Sequence, residues 1–154
     1  MIKRSTALRI ATLGGIGYWP KAPGTWASLV TTIVAGSLIT LTESITILAP
    51  LFTIIFFTSF IAAWRISQEI PTQDPAWFVA DEAVGQLIPI MVAPFNPLWW
   101  ILSFILFRFF DIVKPWPISW ANNQTQYTWI IWDDVLAGIA AAIVIVLMLP
   151  FNFK

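Results

Sequence analysis

Apolar residues in this chain come in long blocks, and the few charges mark where each block stops. Residues 22–42, 44–64 and 135–153 all run without a charge. Each is close to the ~20 residues that an α-helix needs to cross a bilayer, so each predicts a membrane helix. A fourth block, 83–107, is broken by APFNP at 93–97, where Pro94 and Pro97 flank Asn96. Two prolines so close disfavour a continuous helix and suit a turn. The pattern predicts a helical hairpin with arms over 76–92 and 98–114, each about 24 Å long at 1.5 Å per residue. A single bent span over 83–107 is the competing reading. Residues 1–13 carry basic side chains among broken apolar stretches, which predicts an interfacial amphipathic segment rather than a cleavable signal peptide. Residues 115–132, with ANNQTQYT at their centre, read as a polar loop. The expected fold class is all-α: a polytopic membrane helix bundle of about five membrane helices, forming one domain over 1–154.

Composition agrees. The chain is 58% hydrophobic and 10% charged, against about 25% charged in soluble domains. A formal net charge of zero gives no reason to expect nucleic-acid binding. With no cysteine and no histidine, disulfides, thiol nucleophiles, imidazole bases and His-ligated zinc are all excluded. Hydrolytic chemistry here would run on carboxylates, hydroxyls, lysine or a metal held by oxygen.

Charge placement sets an expected orientation. With a cytoplasmic N-terminus, the inside segments hold Lys3, Arg4, Arg9, Lys21, Arg65, Arg108 and Lys114, and the outside only Lys154, as the positive-inside rule requires. The ten tryptophans fall near predicted helix ends, where aromatic belts form.

In this topology the polar residues collect at one membrane face. GGIGYWPKAPGT (14–25) leads into the first span. Asp81 and Glu82 lie near the start of the first hairpin arm, FRFFDIVKP closes the second, and Asp133 and Asp134 open the last span. Arg108, Asp111 and Lys114, three apart, share one side of a helix. Carboxylates gathered at a membrane rim repel one another unless a cation joins them, and such groups are functional candidates by default. Oxygen-only ligands favour a hard ion, Mg²⁺ first and Mn²⁺ as a substitute. Asp81, Glu82, Asp111, Asp133 and Asp134 are the candidate ligands. Gly85 and Gly138 each follow an aspartate by four residues. Glycine lets a neighbouring helix come close, so Asp81 and Asp134 are the first choice for inward ligands. Gly24 and Thr25, with backbone N–H groups at a helix start, form a candidate phosphate cradle. Lys21, Arg108 and Lys114 supply countercharge, arginine as a two-pronged fork. Such a set suits phosphoryl hydrolysis at headgroup depth, with Asp111 or Asp133 as general base. The glycine-rich loop matches neither a P-loop nor a dinucleotide fingerprint.

The blocks GYWPKAPGTWASL, DPAWFVADEAVGQ, FRFFDIVKPWPI and DDVLAG, in that order, resemble the phosphatidylglycerophosphatase A family. The resemblance implies a Mg²⁺-dependent phosphatase of the bacterial inner membrane, its site facing the cytoplasm, that converts phosphatidylglycerophosphate to phosphatidylglycerol. By position it carries over Gly17, Pro20, Pro23, Gly24, Thr25, Asp81, Glu82, Gly85, Arg108, Asp111, Lys114, Pro115, Asp133, Asp134 and Gly138. Two positions depart from the family pattern: Ala27 replaces a usual glycine, and QYTWIIW replaces a glycine-rich lead-in to Asp133. Two alternatives to an enzyme remain open, a small transporter or channel and a structural subunit with a vestigial motif. A conduction path would spread its charges through the membrane depth, whereas these cluster at one end. A lipid synthase would need a long D-G-x-x-A-R…G…D…D array, which is absent.

Overall fold

The structure, a computed structural model, describes residues 2–69, 75–124, 127 and 129–151. Asp74, which opens the DPAW block, and Lys154, the expected outside cation, lie outside the described residues. Among these there are helices and turns and no strand. The helices are α1 (Arg4–Ala11), α2 (Pro23–Thr42), α3 (Leu48–Ser67), α4 (Ala80–Val92), α5 (Pro97–Val113), α6 (Ile118–Asn122) and α7 (Trp129–Met148), with 3₁₀ turns at Leu13–Tyr18, Ile45–Ile47 and Leu149–Phe151.

Three stretches are long and apolar enough to cross a membrane: Pro23–Thr42, Ile45–Ser67 and Trp129–Met148. Their surfaces carry apolar stripes at helical spacing. Ile54, Phe57, Ile61 and Trp64 are exposed on α3, and Ile139, Ile143 and Val146 on α7. Such stripes suit lipid as solvent. The hairpin forms where expected. Asn96 caps α5 by accepting from the Leu98 N–H at 2.9 Å, and Pro97 takes the first helical position, where its missing N–H is harmless. Its arms are shorter than the other spans, with 13 residues in α4 and 17 in α5. That is about 20 and 26 Å, less than the ~30 Å hydrocarbon core.

Helix α3 runs past Arg65 to Ser67, the stretch 115–132 read as loop holds α6 (Ile118–Asn122), and two helix starts differ from the sequence reading. α4 starts at Ala80 rather than 76, because the Phe78 N–H closes a turn onto the Pro75 carbonyl at 2.7 Å. α7 starts at Trp129 rather than 135, so Asp133 and Asp134 lie in its second turn instead of opening it. Charge-free runs locate helix ends only where carboxylates sit in the headgroups, and these two are buried.

α4 is the central helix. It packs against α2, α3, α5 and α7 and is buried nearly all round. Its tightest neighbour is α7. A Cβ on Gly138 would overlap the Gly85 carbonyl, and one on Gly85 would lie 2.5 Å from the Asp134 carbonyl oxygen. Pro89 sits inside α4 and has no N–H to give the Gly85 carbonyl one turn earlier. That freed carbonyl occupies the space that a side chain on Gly138 would need.

Candidate active site

The charged side chains meet where the N-terminal ends of α2 and α4, the C-terminal end of α5 and the second turn of α7 converge. Asp81 and Asp134 are 3% and 4% exposed. Asp81, Glu82 and Asp134 each offer a carboxylate oxygen, and these oxygens all lie within 4.8 Å of one another. Asp81 Oδ1 also accepts from the Glu82 N–H at 3.0 Å. Glu82 reaches across to α2, where a Cβ on Gly24 would overlap Glu82 Oε1. Only glycine leaves room for this carboxylate beside the first turn of α2, whose N-terminal partial charge favours an anion.

On α5, Arg108 Nη1 lies 2.7 Å from Asp111 Oδ2. The pair is a close ion pair not aligned as a hydrogen bond, and Arg108 Nε is buried without an acceptor. Lys114 follows the last residue of α5 in a left-handed conformation, φ 45° and ψ 58°. Helix is disfavoured before Pro115, so the chain leaves α5 here and the lysine turns toward α7. Its Nζ donates to Asp133 Oδ2 at 2.5 Å and to Asn122 Oδ1 at 2.6 Å, and lies 4.0 Å from Asp111 Oδ1. Burial alone would lower the Lys114 pKa; Asp133, Asp134 and Asp111 outweigh it and hold it above the ordinary lysine value.

The clusters are one electrostatic unit. The charges of Asp111, Asp133 and Glu82 all bear on Asp134, and those of Asp111 and Arg108 bear on Glu82. Five carboxylates thus face two cations, Arg108 and Lys114. Asp134 Oδ1 and Glu82 Oε2 are buried with no hydrogen-bond partner. Oxygen donors left orphaned beside like charges are what a hard divalent cation satisfies. The residues present therefore fit one, with Asp81, Glu82 and Asp134 placed to hold it.

Of the sequence candidates, the structure gathers Asp81, Glu82, Arg108, Asp111, Lys114, Asp133 and Asp134. Asp111 and Asp133 are each engaged by a cationic side chain. Gly24 is buried against Glu82, and Thr25 follows it in the first turn of α2. Lys21 is exposed in the turn before α2 and joins none of the ion pairs at the cluster. Two residues were missed. Asn122 lay in what read as plain polar loop, and only α6 brings it to Lys114. Gln86, fully buried one turn beyond Glu82, was not singled out in the sequence.

The fold and the site define a helical membrane protein with a buried carboxylate centre at one end of its bundle. Residues 9–149 match the model of the phosphatidylglycerophosphatase A family. A phosphatidylglycerophosphatase A of Haemophilus influenzae is 36% identical over 133 residues, covering 85% of this chain and 81% of that protein. A Bacteroides thetaiotaomicron protein, provisionally named a phosphatidylinositol-3-phosphatase, is 34% identical over 141 residues, 88% of this chain and 89% of its own. The Escherichia coli phosphatidylglycerophosphatase A is 32% identical over 80 residues, 51% and 46% of the two chains. No solved structure matches. The chain belongs to the phosphatidylglycerophosphatase A family.

Proposed function

We propose that this protein hydrolyses the terminal phosphomonoester of phosphatidylglycerophosphate, releasing phosphatidylglycerol and phosphate, with a divalent cation, Mg²⁺ or Mn²⁺, held by Asp81, Glu82 and Asp134. The carrying observation is the meeting of these three acids with an arginine whose Nε is buried and lacks an acceptor. The cation, when bound, offsets the carboxylate repulsion and draws charge from a phosphoryl oxygen. Arg108 supplies a planar fork for the phosphate, and Lys114 a point charge from the same end of α5. Gly24 and Thr25 present the α2 N-terminus to the phosphate from the other side, with Lys21 at its approach. The attacking water gives its proton to Asp111, which stands between Arg108 and the acids of α7. Asp133, tied to Lys114, is the other candidate base. The P–O bond to the glycerol breaks, and the leaving alkoxide takes up the proton that Asp111 accepted from the water.

The site faces the cytoplasm of a bacterial inner membrane in this reading. Arg4, Arg65, Arg108 and Lys114 lie with it at one end of the bundle, Arg4 and Arg65 both paired to Glu69 at 2.8 and 2.7 Å. A second reading, a 3-phosphate on an inositol headgroup, rests on the name of the Bacteroides relative. It asks the same chemistry of the site and differs only in the alcohol. A panel of phosphatidylglycerophosphate, phosphatidylinositol 3-phosphate, phosphatidic acid and a soluble phosphomonoester, each with Mg²⁺ or EDTA, tests both. Phosphate release from the first lipid, abolished by EDTA, is expected. Turnover undiminished by EDTA would sink the cation assignment, and no turnover of any lipid would sink the phosphatase.

A further inference from the structure

Gln86 is fully buried, yet neither its Oε1 nor its Nε2 has a hydrogen-bond partner. A buried carboxamide left unsatisfied is destabilising, and an apolar side chain of similar volume would serve the packing better. Gln86 follows Glu82 by four residues on α4, so the two share one side of the helix. Glu82 Oε2 is likewise buried and unpartnered. Glu82 faces Gly24 of α2, while Gly85 faces Asp134. An amide that can donate two hydrogen bonds therefore lies one turn from an orphaned carboxylate oxygen, and neither group has a hydrogen-bond partner among the described residues. Carboxylates that ligate metals are commonly held by such hydrogen bonds, and losing one lowers metal affinity by about 10–100-fold.

We propose that Gln86 is a positioning residue for Glu82: its amide donates to Glu82 Oε2 when a divalent cation draws Glu82 toward Asp81 and Asp134. This rests on the cation reading given above. The hydrogen bond would fix which way the carboxylate faces while the cation takes its other oxygen.

The test uses the full-length protein in lipid nanodiscs, stripped of metal, with Mn²⁺ binding followed by electron paramagnetic resonance. Gln86→Leu should weaken Mn²⁺ binding by about 10–100-fold while the metal-free protein melts at or above the wild-type temperature. Gln86→Met keeps the length of the side chain, serves if the leucine variant misfolds, and should behave alike. In a Glu82→Gln background, Gln86→Leu should bring no further loss, because its effect passes through Glu82. Wild-type Mn²⁺ affinity in both Gln86 variants would overturn the proposal, as would an equal loss in the Glu82→Gln background. Absence of Mn²⁺ binding by the wild-type protein would instead overturn the cation reading, and this inference with it.

Discussion

Gly85→Ala tests whether the α4–α7 crossing sets the spacing of the acids. The added Cβ would lie 2.5 Å from the Asp134 carbonyl oxygen and 2.5 Å from Phe107 Cε2. Close carbon–oxygen contacts in proteins lie at about 3.3–3.6 Å, so the helices must separate by about 0.8–1.1 Å at this point. Neither obstacle gives way easily: one is backbone, and Phe107 is fully buried. Gly85 is one turn from Asp81, and the atom it would strike belongs to Asp134, so the separation falls directly between two of the three proposed ligands. A misplacement of about 1 Å can reduce a reaction rate about 100-fold, equivalent to roughly 2.7 kcal/mol of barrier. Overpacking of a well-filled core costs typically about 1–3 kcal/mol. The assay is initial-rate phosphate release from phosphatidylglycerophosphate in mixed micelles, with thermal unfolding followed by circular dichroism. Gly85→Ala should lose about two orders of magnitude in kcat and melt several degrees lower, whereas Ile143→Ala, on the exposed face of α7, should lose neither. A Gly85→Ala enzyme with wild-type kcat would show that the crossing does not govern the site.

Four further substitutions probe separate parts of the cluster. Asp81→Asn and Asp134→Asn each remove a proposed ligand worth several kcal/mol in the transition state, so phosphate release should fall by about 10²–10³-fold or more with helical content unchanged; near-normal rates would remove both from the site. Arg108→Lys keeps the charge but loses the fork, and a hydrogen bond to a charged group is worth about 1.5–3 kcal/mol, so kcat/KM should drop roughly 10–100-fold, and a rate equal to wild type would mean that Arg108 does not grip the phosphate. Lys114→Met leaves Asp133 buried without its partner and should cost about 1–3 kcal/mol at neutral pH. Because the folded-state pKa of Lys114 is raised, its contribution is complete below the ordinary lysine value and fades as pH rises through the raised one. Melting curves of wild type and variant should converge only in strong alkali, and a constant gap would locate the effect elsewhere.

The membrane architecture was legible because lipid allows few solutions. A charge-free stretch of about 20 residues must close its own backbone hydrogen bonds, and helix is the way one segment does so alone. Hence Pro23–Thr42 and Ile45–Ser67 fall almost where the pattern puts them. The same rule misplaced the start of α7, because it treats every aspartate as a membrane edge. Asp133 and Asp134 are held inside the bundle by Lys114 and by the surrounding helices, a tertiary effect that no window of hydropathy contains.

The site was legible in part for a related reason. Few charges were available, so those outside the apolar blocks had to serve as partners for one another. Spacing linked Arg108 to Asp111 on one helix, and glycines four residues after Asp81 and Asp134 marked the close crossing that joins α4 to α7. Which carboxylates remain open to a cation depends instead on distance across helices. Lys114 reaches Asp133 through a left-handed cap, and Arg108 holds Asp111. Beside those two pairings stand Asp81, Glu82 and Asp134, whose ligand oxygens are in mutual reach. A division of labour follows from charge alone: acids already neutralised by lysine or arginine are poor competitors for a divalent ion but retain a lone pair for a proton. On that division the proposed cation falls to Asp81, Glu82 and Asp134, whose oxygens converge at this depth.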